Sequence, residues 1–171
     1  MEPLSIIRDR DIFENPITEP KFYTIRQTVK GIVLDGDGNI ALLSTHGHSL
    51  FPGGGVEDEE TKEMAFIREC KEELGCDVII IGYIGEFFQY RSQTAKKYEI
   101  SFFVAHVIGD KGIPTTKNQE ELDCVISWET LEETIGILQN QIVNASLGDY
   151  SVQFNAHTHL LALQYFLEMK K

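Results

Sequence analysis

Apolar positions first gather at Val29 and at Gly31 to Leu34, a run that stops at Asp35-Gly36-Asp37-Gly38-Asn39, and a second run, Ile40 to Leu43, follows at once. Two such runs around a turn rich in Asp, Gly and Asn predict a hairpin. Three further strands are expected at Val78 to Tyr83, Glu86 to Tyr90 and Tyr98 to Val107, and a short one at Val125 to Trp128. Elsewhere the spacing is helical. Phe66, Ile67, Cys70 and Leu74 share one face of a helix predicted from Thr61, a good N-cap, to about Leu74, with Gly75 placed as the left-handed residue that ends it. Leu160, Leu161, Leu163, Phe166 and Leu167 predict a closing helix over Phe154 to Met169, and Thr130 to Leu138 reads as a shorter one. Phe51-Pro52-Gly53-Gly54-Gly55 is a loop, because Pro52 lacks a donor and the glycines admit backbone angles that other residues avoid. Gly109 to Gln119, with Gly112 and Pro114, is another. The pattern therefore predicts an α/β fold, a mixed sheet between helices. A single domain is expected over residues 24–171, after a loosely organised arm over residues 1–23 with room for one short strand.

A chain of 171 residues, 42% hydrophobic and 25% charged, can bury one proper core. Its net charge of -12 repels a polynucleotide backbone, so no polynucleotide partner is expected. A small phosphorylated substrate fits only if the sign is reversed locally, which a divalent metal held by carboxylates would do. No apolar run approaches the roughly 20 residues that span a bilayer, and the charged first residues have no apolar stretch behind them, which predicts a cytoplasmic protein without membrane contact. Cys70, Cys76 and Cys124 are odd in number and form no C-x-x-C pair. They suggest neither a zinc cluster nor a disulfide framework, and all three read as small buried apolar residues.

The chemistry concentrates on the helix after the glycine loop. Glu69, Glu72 and Glu73 fall on a face roughly 120° from the packing face. Like charges three and four residues apart cost about 0.2–0.5 kcal/mol per pair unless something offsets them. Carboxylates at this spacing suit Mg2+ or Mn2+, which take oxygen ligands; the bland alternative is a solvated acidic face, helped by Lys62, Arg68 and Lys71. The glycine loop lies where exposed N–H groups and the helix dipole accept anionic oxygens, although three glycines alone make an ordinary turn.

Gly54, Glu60, Arg68, Glu69, Glu72, Glu73 and Gly75 together match, without a gap, the signature G-x5-E-x7-R-E-U-x-E-E-x-G-U, in which U is bulky and apolar. In this the chain resembles the Nudix hydrolases, in particular MutT-like ones. The likeness is tight over Gly54 to Cys76 and looser over Thr24 to Leu138; Cys70 and Cys76 at the two U positions are smaller than usual. The resemblance implies an alpha/beta/alpha sandwich and metal-dependent hydrolysis of a diphosphate linkage in a nucleoside diphosphate joined to a group X. It also implies Mg2+ or Mn2+ on Glu69, Glu72 and Glu73, with a backbone contact at Gly54 or Gly55, and Gly53 beside them at the substrate. A Glu60–Arg68 ion pair would orient loop and helix, water would attack phosphorus, and Glu69 is the first choice to take its proton. Glu120 and Glu121 are each a further ligand or base, or else part of an exposed acidic loop.

Substrate contacts are less sharply marked. His46 or His48 stands near where related chains place a cation. Arg26, Lys30, Arg91, Lys96 and Lys97 are candidate phosphate contacts or plain surface charges, and Phe87, Phe88 and Tyr90 are stacking or core aromatics. His157 and His159, two apart on a helix, do not share a face and read as structural. The expected substrate is a (deoxy)nucleoside triphosphate or similar small nucleotide, the alternative ADP-ribose or a nucleotide sugar. A non-catalytic nucleotide-sensing module and an enzyme on RNA ends, guided by Arg8, Arg10, Lys21, Arg26 and Lys30, are the readings from other classes. Leu4, Ile6, Ile7 and Phe13 of the arm have no assigned partner, which leaves a homodimer open.

Overall fold

A computed structural model describes residues 2–116, 123–144 and 149–171. At its centre two strands, β2 (Thr24–Leu34) and β6 (Lys96–Ile108), run parallel in an unbroken register from Thr24 beside Lys96 to Leu34 beside His106. Alternation along the pair sends Ile32, Leu34, Ile100, Phe102 and Val104 to one face and Val29, Val33, Phe103 and Ala105 to the other. Both faces are buried, which is why these strands read as nearly continuous apolar runs. The first face is covered by α3 (Leu131–Asn144) and α4 (Tyr150–Met169) through Leu138, Ala162, Leu163 and Phe166. The second lies under α2 (Lys62–Leu74) through Ala65, Phe66, Cys70 and Leu74. The result is the α/β/α sandwich with a mixed sheet expected from the sequence.

Phe66 fixes how close α2 can come. Its ring is fully buried, stacks on Phe103 at 5.3 Å, and occupies the space that a Cβ on Gly31 would need. Truncating a ring so enclosed costs about 3–5 kcal/mol. Ile67, expected on the same packing face, is 42% exposed, because the helix presents a narrower stripe to the sheet than the pattern allowed.

With β1 (Ser5–Arg8), β3 (Ile40–Thr45), β4 (His48–Leu50) and β5 (Asp77–Arg91), the sheet runs β1-β5-β6-β2-β3-β4, and β7 (Val125–Glu129) pairs on β3. The expected hairpin survives only as its turn: β2 and β3 pair at Leu34 and Ile40 and then part. Asp35 closes that turn by accepting the N–H groups of Asp37 at 3.0 Å and Asn39 at 2.9 Å. β3 spends its remaining hydrogen bonds on β4 (His48–Leu50) and on β7, from Ile40 beside Glu129 to Ser44 beside Val125. The two candidates at Val78 and Glu86 are one strand, β5 (Asp77–Arg91), whose register slips at Ile80/Gly82 and Tyr83/Gly85. β-Bulges bend a strand without ending it, so the glycines that looked like breaks are bends.

The arm is anchored. β1 (Ser5–Arg8) adds a parallel strand to β5, and the short α1 (Asp9–Ile12) follows. The buried Asp9 carboxylate accepts the Tyr150 hydroxyl at 2.8 Å and the Ser92 N–H at 3.0 Å. Ile7 packs with Tyr150 and Phe154, and Phe13 stacks on Tyr150 at 5.3 Å, so these two arm residues find partners in their own chain. The third and fourth helices run longer than expected. A capping box fixes the start of α3, the Glu133 N–H donating to Thr130 Oγ1 and the Thr130 N–H to Glu133 Oε2. Among the described residues no helix is long and apolar enough to cross a membrane.

Candidate active site

Helix α2 begins and ends as its sequence dictates. Thr61 Oγ1 accepts the Met64 N–H at 3.2 Å, and Gly75, at φ 68°, donates to the Lys71 carbonyl at 3.1 Å. The glycine loop is laced to β2 beside it: Val29 N–H donates to Gly54 O, Gly31 N–H to Pro52 O and Val56 N–H to Gln27 O, at 2.9, 3.1 and 3.2 Å. Gly53 sits at φ 130°, a conformation closed to ordinary residues, and its N–H donates to Glu73 Oε2 at 2.7 Å. Gly54 lies against the Glu69 carboxylate so closely that a Cβ there would run into Oε1. Loop and helix therefore fit only with glycine at that point.

Arg68 is the hub. Its Nε and Nη2 reach both oxygens of Glu60 at 2.9 and 3.1 Å, Nη2 also reaches Gly55 O at 3.0 Å, and Nη1 reaches Glu69 Oε1 at 2.9 Å and Glu72 Oε2 at 3.2 Å. A guanidinium has five N–H groups, and here all have acceptors. The expected Glu60–Arg68 pair is thus present, and hydrogen bonding to Arg68 holds the Glu60 carboxyl below its usual range. The same pairing, with Glu60 first, raises the Arg68 pKa. The repulsion between Glu69 and Glu72 is offset by one shared nitrogen.

Glu69 does not look outward. It is 7% exposed, and burial raises its pKa against the opposing pull of Arg68. The angular position of Glu69 on the helix was legible, but the loop that folds over it was not. Glu72 is half-buried, while Glu73 is turned to the Gly53 N–H. Among the described residues no group of three His, Cys, Asp or Glu side chains is arranged to hold a metal ion. Glu120 and Glu121 lie outside the described residues.

A cleft of about 580 Å3 opens over this cluster, lined by Glu69, Glu72, Arg68, Gly54, Gly55 and Arg26. Glu57, Thr115 and Thr116 also line it and were not singled out from the sequence. The Thr115 and Thr116 N–H groups donate to the Glu72 carbonyl at 2.9 and 3.1 Å, using an orphan acceptor of the last helical turn. No local motif announces such a contact, because it depends on how a distant loop returns.

The other candidates scatter. His46 caps a turn at φ 48°, and His48 lines a separate hollow with Asn140 and Gln141 that shares no wall with the cleft. Lys97 pairs with Glu99 at 2.6 Å, and Phe87 is fully buried in the core. Arg8 and Arg10, two of the five cations considered as a track for RNA, both pair with Glu19. Arg91 and His159 instead meet in a second hollow, of about 230 Å3, which shares Arg26 and Gly54 with the cleft. His159, read as structural, is buried there with Nδ1 unpartnered, its pKa lowered by burial and then by the charges of Lys30 and Arg91. Cys70 and Cys76 are buried thiols with raised pKa, caused by that burial, so neither is a nucleophile; Cys124 is only half-buried.

A helix on one face of an α/β/α sandwich thus offers a buried and a half-buried carboxylate beside a glycine loop. The NUDIX domain model matches residues 24–147, and the chain belongs to the Nudix family. An 8-oxo-dGTP diphosphatase of Proteus vulgaris is 43% identical over 54 residues, 28% of this chain; the match spans about half of that relative, 48% of its length. Among solved structures, the MutT protein of Methanosarcina mazei Go1 superposes with a TM-score of 0.57 at 20% identity, over 87% of this chain and 98% of that one. The C. elegans Ap4A hydrolase superposes with a TM-score of 0.58 at 17% identity, over 86% and 100%. These two likenesses are likenesses of fold.

Proposed function

We propose that the chain hydrolyses the diphosphate linkage of a small nucleotide, a (deoxy)nucleoside triphosphate before ADP-ribose or a nucleotide sugar. The observation that carries this reading is the convergence of Glu69 Oε1 and Glu72 Oε2 on one guanidinium nitrogen, at 2.9 and 3.2 Å, inside a cleft that Arg26 also lines. Two carboxylate oxygens aimed at one cation are the donors that Mg2+ or Mn2+ takes. Glu69 and Glu72, with Glu73 and the Gly54 backbone beside them, would hold such an ion, which when bound supplies charge neutralisation on the diphosphate and a lower pKa for water. Arg26 pairs with no carboxylate among the described residues and is placed to draw the phosphates of the substrate into the cleft. Glu69, enclosed beneath Gly54, is assigned to take the proton of the attacking water. The partial match to an 8-oxo-dGTP diphosphatase favours triphosphates over the alternatives.

The test is a panel of nucleoside triphosphates, oxidised nucleotides, ADP-ribose, nucleotide sugars and dinucleoside polyphosphates with Mg2+ and Mn2+, run on the natural protein and on Glu72→Gln. Turnover of one class, lowered at least about a hundredfold by the substitution, is expected. Binding without release of phosphate or pyrophosphate from any of them would point to a nucleotide-sensing module instead.

A further inference from the structure

Gly53 and Gly54 stand where the cleft meets the smaller hollow, and Gly54 lines both. Hydrogen bonds within the fold fix the peptide units on either side of the Gly53–Gly54 peptide. In the unit before it, Pro52 O accepts the Gly31 N–H at 3.1 Å and the Gly53 N–H reaches Glu73 Oε2 at 2.7 Å. In the unit after it, Gly54 O accepts the Val29 N–H at 2.9 Å. The unit between them is held, among the described residues, by Lys30 alone. Lys30 Nζ donates to Gly53 O and, at 3.0 Å, to Phe51 O. This half-buried ammonium has no carboxylate within ion-pair distance among the described residues, so two neutral carbonyls are what it grips.

The grip has a direction. Alternation along β2 sends Val29 to the face under α2 and Lys30 to the other, where it lines the hollow with Asn155 and His159 of α4. A trans peptide sets its N–H opposite its C=O, and no peptide bond among the described residues is cis. With Gly53 O drawn to Lys30, the Gly54 N–H therefore points back towards α2, where Glu69 lies against Gly54 and the cleft opens. No acceptor meets that N–H among the described residues. A glycine on each side lets this peptide plane turn over at little cost, because both signs of φ are open to glycine. Lys30 selects one of the two orientations.

We propose that Lys30 is a positioning residue: by holding Gly53 O it turns the Gly54 N–H into the cleft as a donor to an oxygen of the substrate's diphosphate. The proposal rests on the diphosphate reading of that cleft. A donor already aimed at the charge that develops on phosphorus oxygens stabilises it without reorganising during the reaction.

Two readouts test this, one of them independent of turnover. In amide NMR of the natural protein with Mg2+, adding inorganic pyrophosphate is expected to move the Gly54 N–H signal; Lys30→Met should abolish the movement and Lys30→Arg restore it in part. In turnover of the best triphosphate, Lys30→Met should lower kcat at least about tenfold with KM within about twofold, and Lys30→Arg should recover part of the loss. An unchanged melting temperature verifies the fold, and Lys30→Gln, whose amide ends one bond short, takes the place of Lys30→Met if that variant does not fold. A Gly54 signal that ignores pyrophosphate in the natural protein, or follows it equally in Lys30→Met, would overturn the proposal. So would a loss confined to KM, which would make Lys30 a direct phosphate contact, or a kcat that falls only as the melting temperature falls. If the signal behaves as expected but no nucleotide is cleaved, the hydrolase reading fails and the role of Lys30 stands. If Lys30→Met cleaves nucleotides as fast as the natural protein, the reverse holds.

Discussion

Across Gly53 and Gly54, Arg68 is ringed by three carboxylates while Arg91 has none within ion-pair distance among the described residues. Arg68 is half-buried and Arg91 buried, yet only the first meets opposite charge in its own chain. The acidic side is built as a brace, because every donor of Arg68 ends on loop or helix. The basic side is built as a socket, with Arg26, Lys30 and Arg91 gathered around it. A chain of net charge -12 thus gathers three cations beside the glycine loop, a local field of the opposite sign.

The sharpest way to break this contrast is to remove the brace. Arg68→Met leaves Glu60 and the buried Glu69 without their cation and is expected to cost about 3 kcal/mol in urea denaturation, since uncompensated buried charge is expensive. A loss under half a kcal/mol would mean that the ring of carboxylates is solvated and braces nothing.

A carboxylate with a single cationic partner should give less. Asp35 accepts Lys111 Nζ at 2.8 Å as well as the turn N–H groups; burial alone would raise its pKa, but these bonds lower it from 3.8 to about 2. The folded state therefore holds Asp35 ionised more firmly than the unfolded state does. Its stabilisation is full above pH 3.8 and fades as pH falls towards 2. Asp35→Asn should cost about 2 kcal/mol at neutral pH and flatten the stability profile over that window; denaturation at pH 7 and pH 2.5 would show a cost independent of pH if the pairing has no role.

The smallest expected effect involves no charge. Thr61→Ala removes the cap of α2 and should cost about 1 kcal/mol, with KM unmoved if the helix stays in register. A large rise in KM would show instead that the cap helps to place the glycine loop.

What the sequence made legible follows the range of the interaction. The start and end of α2 and the Glu60–Arg68 pair rest on residues no more than eight apart, where capping rules and helical geometry decide. The burial of Glu69 depends on how Gly54 is folded over it, a contact across fifteen residues mediated by the hydrogen bonds of β2. The turn at Asp35 was readable but the partner of β3 was not, since a fully apolar run pairs equally well with β2 or with β7. The socket was least visible: Arg26, Arg91 and Asn155 come from three separate elements, and a lone arginine in a strand carries no sign that it will be buried.

Gly75 meets the backbone of Ile113, and Gly112 meets the carbonyl of Gly75, so closely that a Cβ on either would collide with main chain. Neither glycine touches the cleft, yet together they set the angle at which the loop leaves for Thr115 and Thr116 and so the shape of that wall. In a library of random variants these two positions, far apart in the chain, should prove as intolerant of change as the acidic residues of the helix. A screen for activity would then return two kinds of indispensable residue, those that handle the substrate and those that only allow two stretches of backbone to touch.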